Sequence, residues 1–317
     1  MSEITIPISE RFKKYIPIVT GICVIISIVL FIGINTEQDP ENWDAFAKWG
    51  VPATQDIFKG SYWGLITSNF LHLDIVHIIA NVYWFWIFGK KIEFEEGELF
   101  FGTFIVSAAV ISSLAQLSFS ETTGIGLSGI VYAFFGYIFT KRKITEAYKN
   151  TLTKKIIYLF ILWLFLCIIL TETGVWEVAN AAHVFGLLFG ILLGYIAEFS
   201  KIKQGIIGVL CILLVGSSIF WNPFSISWLS YKVYIAYENQ DTEEARLLYN
   251  QILERDSDNE FALSNLKELE IIELSDKAYE LHANEEYEKA KEVYIQILNI
   301  DEKNEWALEN LLRMPEE

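Results

Sequence analysis

The sequence predicts an all-α protein: a polytopic bundle of membrane helices followed by a C-terminal α-helical repeat region. Three observations carry this. Hydrophobic residues make up 53% of the 317-residue chain, and its mean hydropathy is +0.34, more apolar than an ordinary soluble domain. The apolar residues gather into long runs. The net charge of −16 lies almost wholly behind those runs: residues 1–222 carry 15 Lys+Arg against 17 Asp+Glu, residues 223–317 carry 9 against 23. An acidic C-terminal third argues against nucleic acid as a partner.

A membrane-spanning helix needs about 17–25 mostly apolar residues. Seven candidates occur, near 15–34, 74–90, 98–119, 128–140, 156–171, 178–199 and 205–221. The first is long and closed by no small-x-small site, so it is expected to be retained rather than cleaved as a signal peptide. The fourth is short, as a span that starts below the membrane surface would be. Lys and Arg collect in alternate flanks: Arg11, Lys13 and Lys14, then Lys90 and Lys91, then residues 141–155, then Lys201 and Lys203. By the positive-inside rule these face the cytoplasm, which makes residues 1–14 a cytoplasmic tail and 15–222 the membrane domain. An odd number of spans puts residues 223–317 outside, provided the seventh crosses. Cys23, Cys167 and Cys211 all lie inside apolar runs, with no metal or disulfide spacing, and are expected as buried small residues. No metal and no cofactor is expected.

Polar groups inside spans are costly and mark function by default. Three of the four histidines, His72, His77 and His183, lie in or beside spans. His77 and Asn81 stand four residues apart, on one helix face. Span 4 opens with Gly126-Leu-Ser128-Gly129, and span 6 carries His183 followed by Gly186, Gly190 and Gly194. With Asp74 as N-cap, His77 and Asn81 lie about 5 and 10 Å into span 2, and His183 about 8–9 Å below Glu177. Spans 2, 4 and 6 enter from the same face, so a Ser, two His and an Asn share a depth. The small residues of spans 4 and 6 allow close backbone approach, which brings His183 to Ser128.

A serine hydroxyl becomes a useful nucleophile when a base takes its proton, and a histidine suits that task near neutral pH. No carboxylate accompanies His183 in span 6, so the expected unit is a Ser128–His183 dyad. Tyr132, one turn into span 4, is placed to orient the imidazole. Acyl transfer also requires donors for the developing oxyanion, and the candidates are Asn81, His77 and the Ser128 backbone N–H. The Gly124–Gly126 segment lets backbone approach a substrate closely.

These residues resemble rhomboid intramembrane serine proteases. The stretch Gly126-Leu-Ser-Gly-Ile-Val-Tyr-Ala-Phe-Phe-Gly-Tyr137 looks like their active-site helix. Phe70-Leu-His72 with His77-x-x-x-Asn81 is similar to their second-helix motif, Gly89-x-x-x-Glu93-x-x-x-Gly97 to the segment after it, and Ala182-His183-x-x-Gly186-x-x-x-Gly190 to their sixth helix. The resemblance covers about residues 15–200. It implies a six-helix core, here with a seventh span, in which Ser128 is the nucleophile, His183 the base, His77 and Asn81 oxyanion ligands, and Tyr132 the residue packed on the catalytic His. It implies transmembrane proteins as substrates and an integral plasma-membrane location in the lipid bilayer. One departure stands out: many rhomboids have Trp-Arg in the first long loop, whereas Trp63 is followed here by Gly64, which questions the stiffness of residues 35–69.

Residues 243–266 recur at an offset of 45 as residues 288–311, with Ala245, Tyr249, Ile252, Asn259, Ala262 and Leu266 among the identities. The pattern resembles the second helix of tetratricopeptide repeats, whose usual period is 34. His282 is expected on the surface of this region, which is a candidate site for a protein partner. The whole arrangement resembles a bacterial subclass of rhomboids. Two other functions compete: a non-catalytic rhomboid-like client binder, which should lack Ser or His, and a transporter, whose polar groups should trace a path across the membrane.

Overall fold

The computed structural model describes residues 8–39, 42–196 and 226–314, with residues 199, 202, 203, 206, 207, 216, 217, 222 and 225 between the last two stretches. All regular elements among them are helical. The predicted seventh span, 205–221, and Cys211 fall almost entirely outside these residues. The chain forms two compact units, Met1–Ser227 and Trp228–Glu317.

The first unit contains α1 (Ile8–Lys14), α2 (Ile18–Ile34), the short α3 (Trp43–Lys48), α4 (Thr54–Phe58) and α5 (Gly64–Thr67), then α6 (Ile75–Glu96), α7 (Glu98–Phe119), α8 (Ser128–Lys141), α9 (Lys154–Glu172) and α10 (Asn180–Ile196). Their bounds follow the apolar runs closely. At α6 the expected cap is present: Asp74 Oδ1 accepts the His77 N–H at 2.7 Å. α6 is preceded by α5 and a 3-10 turn that meet it at a bend of 103°.

α8 is the centre of the bundle. Ile130, Ala133, Phe134 and Tyr137 are fully buried, and Phe134 packs on Phe85, Phe101 and Phe104. A helix apolar all round is expected in such a central place. Its 14 residues span about 21 Å at 1.5 Å each, well short of a hydrocarbon core of about 30 Å. α9 is the opposite case: Tyr158, Leu162 and Phe165 are exposed, as side chains facing lipid would be. Cys23 and Cys167 are free and buried as expected.

One buried carboxylate organises the start of the bundle. α2 begins after Pro17 with no side-chain cap. Glu93 of α6 fills that role, accepting from Val19 N at 3.0 Å, Thr20 N at 2.9 Å, Thr20 Oγ1 at 2.6 Å and Tyr15 Oη at 3.2 Å. Orphan N–H groups at a helix start favour an anion there.

Gly64 has its own explanation. A Cβ on it would strike the Pro52 ring, so a bulky residue does not fit this backbone. Other ties hold the loop: Thr67 Oγ1 donates to Gly50 O, the Trp49 ring lies on Gly33, and Glu37 accepts from Lys48 Nζ at 2.6 Å and Trp49 Nε1 at 2.7 Å.

The second unit takes in α11 (Ile226–Glu238) from Trp228 onward, then α12 (Thr242–Leu253), α13 (Glu260–Ala283), α14 (Tyr287–Ile300) and α15 (Glu305–Leu312). The 45-residue offset recurs in three dimensions. Gln240 and Glu285 both have positive φ, Asn259 and Asn304 both cap the helix that follows, and Tyr249 on Phe261 matches Tyr294 on Trp306. Ala245 and Ala290, Ile252 and Ile297, Ala262 and Ala307 are all fully buried. His282 is not a plain surface residue. It is half-buried, with Nδ1 at 3.2 Å from the Tyr294 hydroxyl, the place Tyr237 takes beside Tyr249.

Candidate active site

The site lies where the N-terminal ends of α6, α8 and α10 meet. α8 and α10 touch backbone to backbone, because glycine removes the side chains from their contact. A Cβ on Gly186 would strike the Gly129 carbonyl, one on Gly190 the Ala133 carbonyl, and one on Gly136 the Leu187 carbonyl. Small residues are how helices approach in lipid, where burial of apolar surface gives no net drive.

That contact sets the central pair. His183 Nε2 lies 2.8 Å from Ser128 Oγ, within reach for proton transfer. His183 is buried, Ser128 half-buried. The second imidazole nitrogen, Nδ1, has no hydrogen-bond partner among the described residues, so no carboxylate completes a triad there. The imidazole is held by packing. The Tyr132 ring lies 4.8 Å from it between centroids, at 33°, and the Tyr132 hydroxyl donates to Phe160 O at 3.1 Å.

Opposite the pair stands α6. Gly126, with φ +97°, turns its missing Cβ toward it: a carbon there would lie 2.7 Å from the His77 ring and 3.2 Å from Asn81 Nδ2. Those two side chains therefore face the strand of chain that leads into Ser128. His77 also has Nδ1 at 3.8 Å from Asp74 Oδ2 and its ring against His72. All six residues singled out from sequence, Ser128, His183, His77, Asn81, Tyr132 and Gly126, thus belong to one neighbourhood. Among the described residues no group of three His, Cys, Asp or Glu side chains is arranged to hold a metal ion.

Sequence reasoning passed over Gln116. It is buried in α7, accepts the Ala182 N–H at 3.2 Å and donates to Ser120 Oγ at 2.9 Å. Ala182 lies in the first turn of α10, so Gln116 satisfies one of the orphan donors there directly beside His183. Its signal was present: an amide inside an apolar run. The role of His72 was also missed. It is fully buried and touches Phe70, Asn81 and Leu127.

The rhomboid domain, as a family, matches residues 59–198. The chain is similar to Rhomboid protease GlpG of Haemophilus influenzae, 31% identical over 187 residues that cover 59% of this chain and 91% of the relative. It is 26% identical to Rhomboid protease GlpG of Salmonella typhi, covering 59% of this chain and 65% of that one. It is 30% identical to Rhomboid protease GlpG of Yersinia pestis over 138 residues, covering 42% and 47%. The chain thus spans most of the first relative but two thirds or less of the other two.

Proposed function

The chain belongs to the rhomboid family of intramembrane serine proteases, and from that premise we propose that it hydrolyses peptide bonds in or near transmembrane segments with a Ser128–His183 dyad. The 2.8 Å approach of His183 Nε2 to Ser128 Oγ carries the assignment. His183 takes the hydroxyl proton as Ser128 Oγ attacks the scissile carbonyl. The carbonyl oxygen becomes an oxyanion, for which Asn81 Nδ2, His77 and the Ser128 N–H are the donors. His183 returns the proton to the leaving amine, and water then hydrolyses the acyl-enzyme by the same route. An intact helix hides its carbonyls in hydrogen bonds, so substrates are transmembrane proteins whose helices unwind near one end. The bilayer is the other obligatory partner.

The seven-span arrangement belongs to the same proposal. α10 begins beside Gln116, near the C-terminal end of α7, and runs past Thr140 at the far end of α8. By Asn222 the chain is back at the C-terminal end of α7: Asn222 Nδ2 donates to Ser118 Oγ at 2.9 Å and Ser225 Oγ to Leu117 O at 3.0 Å. That return supports a further crossing between 196 and 222, which puts the termini on opposite faces, and the Lys/Arg-rich flanks make the N-terminal face the cytoplasmic one. The domain division is then residues 1–14, 15–222 and 223–317. The 45-residue equivalences support a tetratricopeptide-like character for the last part, which we assign to binding a protein partner.

The test is cleavage of a single-span test substrate by the purified chain. Wild type should cleave. Ser128→Ala and His183→Ala should each lose about 10⁴-fold or more, and the double variant no more than either alone, because the two act as a unit. Cleavage near the wild-type rate by either variant would remove the dyad.

A further inference from the structure

His72 is the chemistry-bearing residue that the dyad and its oxyanion donors leave unused. It is fully buried, where a polar ring must satisfy both nitrogens. Its Nδ1 lies 3.1 Å from the Phe70 carbonyl oxygen. A carbonyl only accepts, so Nδ1 carries the proton. Its Nε2 lies 3.3 Å from the Leu127 backbone N–H. An N–H only donates, so Nε2 is the bare acceptor. Two independent backbone partners thus fix one neutral tautomer.

The third contact gains its meaning from that tautomer. Asn81 lies 3.1 Å from the same Nε2 through its Nδ2. A bare acceptor requires the NH₂ end of the amide, so the Asn81 side chain has a single satisfied orientation. One of its two N–H bonds goes to His72, and the other is left for the space that Gly126 keeps open. Meanwhile the Leu127 N–H on the same nitrogen fixes the Gly126–Leu127 peptide, one residue ahead of the Ser128 N–H. Asn81 comes from α6 and Leu127 from the loop before α8, 46 positions later in the chain. They converge on one nitrogen atom.

We propose that His72 is a positioning residue: its Nε2 sets the Asn81 amide and the Leu127–Ser128 backbone in register as the two arms of one oxyanion site. This rests on the dyad assignment above. It assigns His72 no contact with substrate and no proton to move.

Two readouts on the purified full-length chain test it: kcat and KM on a single-span test substrate, and the rate at which a fluorophosphonate labels Ser128, a reaction whose phosphoryl oxygen also needs the oxyanion donors. His72→Ala should lower kcat and the labelling rate together by about 10- to 100-fold, the usual span for a residue that orients another, with KM within about twofold. His72→Gln, which keeps one acceptor and one donor, should recover a substantial part. In the Asn81→Ala background, His72→Ala should cost several-fold less than in wild type, because the arm it orients is already gone. Full multiplication of the two losses would overturn the proposal. So would a change confined to KM, or a labelling rate equal to wild type. If His72→Ala does not fold, the same cycle with His72→Gln decides, since that variant must then show a smaller loss that shrinks in the Asn81→Ala background. Failure of wild type to be labelled, or labelling of Ser128→Ala, would instead strike the dyad assignment itself.

Discussion

The contact between α8 and α10 and the contact between α14 and α15 solve the same problem by opposite means. α8 and α10 meet where Gly129, Gly136, Gly186 and Gly190 leave bare backbone. α14 and α15 meet through side chains, with Tyr294 on Trp306 and Ala290, Ile297 and Ala307 fully buried. In water, burying an apolar stripe drives association and charged residues cover the other face. In lipid both faces can be apolar, so the close contact must come from shape. An added methyl group is therefore a larger insult to the first contact than a removed ring is to the second, if the readout is chemistry.

Outside the dyad itself, the largest expected effect follows from that contrast. Gly186→Ala and Gly190→Ala each place a Cβ against a backbone carbonyl of α8, which has no rotamer to escape into. The helices must part by a fraction of an ångström to more than one, and Ser128 parts from His183 with them. Misplacement on that scale costs about 100-fold in rate. Cleavage of the single-span test substrate should fall by at least that much, while membrane insertion is retained. Wild-type turnover by Gly190→Ala would mean that the two helices do not hold the pair.

Gln116→Ala comes next. It leaves the Ala182 N–H buried without its acceptor, which costs about 1–3 kcal/mol, and it frees the first turn of α10 beside His183. Turnover should fall by about 10- to 100-fold. Gln116→Glu keeps the acceptor oxygen and should stay closer to wild type at the pH where the carboxylate is ionised. Equal losses in both variants would point to the Ser120 contact instead.

Much of this site was legible in the sequence because lipid makes polar residues conspicuous. Ser128, His77, Asn81 and His183 stand out against apolar neighbours, and counting residues from a cap gives their depth. The helices α6 to α10 were legible for the same reason, since a hydrophobic run with charged flanks has few alternatives. What stayed hidden depends on tertiary partners. α3, α4 and α5 are only four to six residues long and have no periodicity to read. The importance of Gln116 depends on which N–H it meets, and that of His72 on Phe70 and Leu127 being backbone partners of opposite kind. His282 looked like a solvent-facing group because its partner, Tyr294, lies twelve residues away on another helix.

In the second unit, Tyr249→Ala removes a fully buried ring that packs on Tyr237 and Phe261. The loss should be about 3–5 kcal/mol by analogy with other large-to-small core changes, enough to melt a small helical unit. Cleavage of the short single-span substrate should stay within about twofold of wild type, because Ser128 and His183 sit in the other unit. A parallel collapse of cleavage would show that the bundle depends on residues 228–317 for its own folding.

The smallest effect is expected in the loop that lacks the arginine. Glu37 lies outside the apolar segments, and hydrogen bonds from Lys48, then Trp49, hold its carboxyl below the usual carboxylate range. A carboxylate with a lowered folded pKa stabilises above its ordinary value and loses that contribution as pH falls through the lowered one. Hydrogen exchange in residues 33–51 should therefore stay level from pH 7 to pH 5, once corrected for intrinsic rates. Protection should weaken only under more acidic conditions. Glu37→Gln should remove that acid-dependent step and change cleavage at neutral pH by about twofold or less, since exposed pairs contribute little. A step that persists in Glu37→Gln would assign the acid response to another carboxylate, and the tie between Glu37, Lys48 and Trp49 would then not be what steadies the loop.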